Sequence, residues 1–138
     1  MRILAIDHGT VRMGIALSDE LHTIAHPQEF IPAQPITEFM ARLKELIRQK
    51  EVELIVIGLP RNMDGSYGPA ALKVREFVAV LQDVIGVPIR TWDERLTSVQ
   101  ANRFLIQAKV RRDQRKERVD GAAAAILLQS YLDSQTPA

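Results

Sequence analysis

The chain has 138 residues, 46% of them hydrophobic and 25% charged, with a net charge of +1 and no cysteine. That is the size and balance of one folded domain with a real core, and it excludes a disordered chain, a disulfide scaffold, thiolate metal sites and a cysteine nucleophile. The residues ahead of Asp7 are too few for a signal peptide and the longest apolar runs, such as "AAAAILL", are too short to span a bilayer, so a cytoplasmic protein without a membrane partner is expected.

Residues 2–7 and 12–18 are rich in Ile, Leu and Ala, and the short linker "HGTV" between them predicts two adjacent antiparallel strands. A third, weaker strand is expected from His22 to Phe30. Apolar residues at 36, 39, 40, 43, 46 and 47 follow the spacing of an amphipathic helix. The β-branched run "VELIVIG", residues 52–58, predicts a buried strand feeding the turn-rich "LPRNMDGSYGP". A second helix is expected from Pro69 to Ile85, with Val74, Phe77, Val78, Leu81 and Ile85 on one face. "VPIRTWDE" then reads as a strand and "LTSVQANRFLIQA" as a helix capped by Thr97 or Ser98. Lys109 to Arg118 holds six basic and two acidic residues, and Val119 to Leu132 predicts a last, alanine-rich helix. One domain over residues 1–133 with a loose tail at 134–138 is expected, an α/β fold in which an antiparallel hairpin is extended by right-handed crossovers into parallel strands.

Ligands of open α/β sheets gather outside the carboxyl ends of the parallel strands. The first strand stops on Asp7, and a carboxylate so close to a core costs several kcal/mol unless it is paired or bound to a cation. The strand of residues 87–92 ends on "DER", Asp93 to Arg95, and a third acid, Asp120, opens the expected last helix. Three acids at element ends suit a hard cation such as Mg²⁺ or Mn²⁺, which takes carboxylate oxygens and serves phosphodiester chemistry well. Bland readings stand beside this one. Asp120 alone would more simply cap its helix, His8 would line its turn, and the spacing of His22 and His26 is spoiled as a zinc pair by Pro27. The Lys and Arg run could be a solvated helix face, although its position before Asp120 equally suits phosphate contact. Neither a Walker A sequence nor GxGxxG occurs.

Four blocks, "AIDHGTVRMGIALSD", "VIGLPRNMDGS", "DERLTSVQA" and "VDGAAAAILLQSYL", resemble in order and spacing the YqgF family of Holliday-junction-resolvase-like proteins, also described as nucleases of the small-subunit ribosomal RNA precursor. The resemblance runs from about Ile3 to about Leu132. It implies a ribonuclease-H-like fold: a mixed five-stranded sheet, its first three strands antiparallel, flanked by helices. It also implies that Asp7, Glu94 and Asp120 are the catalytic, metal-binding acids, with Arg61, Asn62, Arg95 and Thr97 on the substrate side. This chain has His8 where the family usually has an aromatic, Val11 in place of a Lys, and Gln100 in place of a Glu; Arg12 remains beside the lost Lys as a phosphate contact. Asp-x-Gly-Thr after a first strand is shared with actin-like ATPases, which close two such domains around a nucleotide.

The leading expectation is therefore a nuclease dependent on Mg²⁺ or Mn²⁺, acting on structured nucleic acid, with Arg95, Arg115 and Lys116 gripping phosphates. Precursor rRNA is the first substrate and branched DNA the second. Symmetric cutting of a four-way junction would require a homodimer, whereas RNA cleavage is open to a monomer. The competing class is a non-catalytic nucleic-acid-binding module.

Overall fold

Strands β1 (Arg2–Asp7) and β2 (Arg12–Ser18) form the expected antiparallel pair, with Ala5 opposite Ala16 and Asp7 opposite Gly14. Their connection depends on Gly9, where a Cβ would stand 2.2 Å from the carbonyl oxygen of Arg12. The computed structural model describes residues 1–62, 64–93 and 112–135, the side chains of 112–121 excepted. Within them β3 (Ala25–Pro27), β4 (Ile31–Pro32), α1 (Ile36–Lys50), β5 (Val52–Leu59), α2 (Pro69–Val84), β6 (Ile89–Asp93) and α3 (Arg112–Gln135) follow in turn.

The strand order is β3-β2-β1-β5-β6, with β4 pairing separately with β2. Pairs β3–β2 and β2–β1 are antiparallel, while β1–β5 and β5–β6 are parallel. The parallel strands are reached by the crossover helices α1 and α2, and the mixed sheet is the one the family resemblance implies, with the short β4 as a sixth strand beside β2. Strand β5 reads as an unbroken apolar run because both of its faces are covered: Ile55, Val56 and Ile57 are all inaccessible to solvent.

Alternation along the strands divides the core. Leu4, Ile6, Ile55 and Ile57 face α1 and α2, meeting Phe39, Leu43, Phe77 and Leu81. Ile3, Ala5, Ala16 and Val56 face α3, meeting Ala124, Ala125, Leu127, Leu128 and Tyr131. The cross-strand pair Ala5 and Ala16 presents small side chains to the alanines of α3, so helix and sheet can approach closely.

Three expectations need correction. The strand expected over residues 22–30 is a three-residue edge strand followed by the two-residue β4. Asp19 accepts hydrogen bonds from the Thr23 amide, the Thr23 hydroxyl and the Ile24 amide, and His22 has φ 59, so residues 19–24 form a turn; Pro27 and Pro32 lack the N–H a longer ladder needs. The last helix is already formed at Arg112, ahead of Val119, and continues through Gln135, because Arg, Lys, Gln and Glu are good helix formers. Residues 134 and 135, expected in the tail, are thus helical. The strand expected over 87–94 is β6, 89–93 within the described residues. The helix expected over 96–108 lies outside them.

Candidate functional site

The carboxyl ends of β1, β5 and β6 lie side by side, Ile6 level with Ile57 and Leu59 level with Asp93. Asp7 is half-buried at this edge. Together with His8, Thr10, Pro60, Pro69, Ala70, Lys73 and Val74 it lines a cavity of about 380 Å³ between the strand ends and the first turns of α2. The His8 ring turns onto Phe77, with centroids 5.0 Å apart. Burial, and then the charge of Lys73, push the imidazole below its ordinary pKa, so His8 is neutral at pH 7. What the edge offers a cation is a half-buried carboxylate oxygen donor, the donor chemistry that Mg²⁺ or Mn²⁺ takes.

Helix α3 is anchored at the other end of β1. Its Gln129 side chain accepts from the Ala25 amide and donates to the Thr23 carbonyl, and the Ile3 amide donates to the Ser18 hydroxyl nearby. Further on, Tyr131, Leu132 and Gln135 line a second cavity with Ile3, Glu53 and Arg90, at the opposite end of the strands. The helix therefore runs antiparallel to β1. Position 120 is nine residues before Gln129, about 13 Å at the α-helical rise, and Asp7 is four residues beyond Ile3, about 13 Å along a strand. The backbone of residue 120 is thereby carried toward the level of Asp7. It lies one turn before Ala124, on the stripe that continues through Leu127, Leu128 and Tyr131. Strand alternation puts Asp7 on this same face, with Ile3 and Ala5. The expectation that Asp120 opens its helix is corrected: residue 120 is interior to α3 and is not an N-cap.

Arg12 is exposed at the start of β2, opposite Pro32, with its guanidinium 5.1 Å above the Phe30 ring. Arg61 is engaged within its own loop. Its Nε donates to the Gly65 carbonyl at 3.0 Å, Nη1 reaches the Asp93 carboxylate at 3.5 Å, and the guanidinium lies over Tyr67 at 4.8 Å. Asn62 bonds to Ser66 through both its amide and its side chain. Gly65, at φ 90, makes the tight bend this closure requires. Arg61 and Asn62 thus fix the wall of the edge beside β6. Glu94, Arg95 and Thr97 lie outside the described residues, as do the side chains of Asp120, Arg115 and Lys116.

A model of the family described as "RuvX: Holliday junction resolvase" matches residues 1–134. The chain belongs to the RuvX family. A relative from Halothermothrix orenii named "Putative pre-16S rRNA nuclease" is 47% identical over 135 residues, covering 98% of this chain and 96% of its own. One of the same name from Desulforamulus reducens is 45% identical over 134 residues, covering 97% and 98%. In fold, this RuvX chain is similar to T. thermophilus RuvC solved in complex with a Holliday junction substrate, with TM-score 0.61 and 15% identity over 99% of this chain and 97% of that one. The fowlpox virus resolvase in complex with junction DNA aligns with TM-score 0.60 and 13% identity over 99% of this chain and all of its own. The ribonuclease-H-like fold expected from the sequence is the fold observed.

Two lining residues of this RuvX site escaped sequence reasoning. Thr10 and Lys73 stand in the Asp7 cavity, yet the α2 periodicity marks only apolar positions, and a helical lysine reads by default as solvated. Among the described residues no group of three or more His, Asp or Glu side chains is placed to hold a metal ion, and no helix is long and apolar enough to cross a membrane.

Proposed function

We propose that this chain is a nuclease that hydrolyses phosphodiester bonds in structured nucleic acid, with the small-subunit ribosomal RNA precursor as its substrate and the cytoplasm as its setting. The observation that carries this reading is Asp7, a half-buried carboxylate at the end of an apolar strand, facing the helix that bears Asp120 and opening on a cavity. Family membership and relatives named for the rRNA precursor support it. Asp7, Glu94 and Asp120 would hold Mg²⁺ or Mn²⁺. Such an ion, when bound, neutralises phosphate oxygens and makes water nucleophilic at neutral pH.

The chain's own residues do the rest. The turn held by Gly9 fixes Asp7 at the sheet edge, and the closed loop of Arg61 and Asn62 walls the substrate side. Arg12, Arg95, Thr97, Arg115 and Lys116 contact the phosphate backbone and set its register. Junction resolution is the second reading, favoured by the description of the family, and it requires two copies of the chain.

Precursor rRNA and a four-way DNA junction, incubated side by side with the purified protein in Mg²⁺, Mn²⁺ or EDTA, test the assignment. Cleavage of the precursor in either metal and none in EDTA is expected. Cleavage of the junction alone would replace the substrate, and cleavage undiminished in EDTA would remove the metal. Binding without cutting in any condition would leave a docking module.

A further inference from the structure

We propose that Lys73 is a substrate-binding residue, receiving a backbone phosphate that flanks the scissile one. The inference rests on the nuclease reading for its substrate. Lys73 lines the same 380 Å³ cavity as Asp7, one turn into α2 from Pro69. Strand alternation turns Asp7 toward α3, whereas His8 turns toward α2 and rests on Phe77. Lys73 therefore stands on the α2 side of the β1 end, away from the face on which α3 packs, a place for the next phosphate along the strand rather than for the one being cut. Its ammonium is exposed, and among the described residues it enters no ion pair.

The other lining groups agree with an anion. The Thr10 hydroxyl can donate, and α2 begins here with Gly68 and Pro69 and without a side-chain cap, so its first free amides face this end of the sheet. The Lys73 ammonium, the Thr10 hydroxyl and the first amides of α2 together make a seat for an anionic group beside Asp7.

The test is the salt dependence of binding, read on a fragment of precursor rRNA and on a four-way junction, in EDTA so that cleavage does not intervene. Lys73→Ala should weaken binding at 50 mM salt about threefold to tenfold and lower the slope of log K against log salt by about 0.7 to 0.9, the release of one counterion. Lys73→Arg should restore both, and the melting temperature of either variant should match wild type. An unchanged slope and affinity in Lys73→Ala would overturn the proposal and leave the nuclease reading standing, since that reading is decided separately by cleavage at Asp7.

Discussion

Asp19 shows how a single residue shapes the edge of this sheet. The Ile24 amide and the Thr23 hydroxyl, each donating to its carboxylate, hold its pKa well below the usual carboxylate range. A depressed pKa in the folded state means stability that is present above the unfolded value, about 3.9, and lost as pH falls through the carboxylate range. Asp19→Ala should therefore melt below wild type at pH 7, and the gap should narrow as the pH is lowered toward 3. A gap that stays constant or widens in acid, measured by thermal melts across that range, would contradict the role given to the carboxylate. Gly9 acts at the same scale by another route: it does not supply unusual dihedrals but leaves space for the Arg12 carbonyl, and thereby sets where Asp7 ends. Asp7 itself is legible from sequence because a charge closing the run "ILAID" is anomalous within a few residues. Lys73 is not, since its importance depends on a crossover that brings α2 back over the end of β1.

Among the elements, α3 is the one on which the site depends. It covers Ile3, Ala5, Ala16 and Val56, and it carries position 120. Leu128 is fully buried on its sheet-facing stripe, and replacement by Ala should destabilise the fold by about 2–5 kcal/mol. Trp92 is the single tryptophan of the chain; its Nε1 donates to the Ser130 hydroxyl at 3.1 Å and its ring meets Tyr131 edge-on, so urea unfolding followed by its fluorescence reports α3 directly. A loss below about 1 kcal/mol would mean the helix is not packed as described. The start of α3 was obscure in the sequence for a physical reason. Residues 112–118 are helix-forming but carry no apolar stripe, so periodicity becomes visible only where Ala122 begins to pack. The β-strands near residues 22–32 were blurred for the opposite reason: a side-chain turn and two prolines divide a short segment that composition alone reads as continuous. The parallel strands, in contrast, could be read as strands, because β5 is apolar on both faces and each is separated from the next by a clear amphipathic helix.

At the scale of the whole molecule, three strand ends, a helix running antiparallel to the first strand and the opening turns of α2 converge on one edge. The opposite edge closes instead by pairing: Arg90 donates to the Tyr131 hydroxyl, and His22 stands 3.0 Å from Glu53. One end of the sheet thus carries these polar pairs and the other carries a half-buried carboxylate beside a cavity, and the nuclease reading proposed above places the chemistry at the second. The most direct measurement is cleavage of precursor rRNA by Asp7→Asn in Mg²⁺, with the variant's affinity for the same RNA measured alongside. Cleavage should fall below detection while affinity stays within about threefold of wild type, because the change removes a cation's oxygen donor and leaves the phosphate contacts in place. Cleavage at the wild-type rate would show that Asp7 holds nothing the reaction needs.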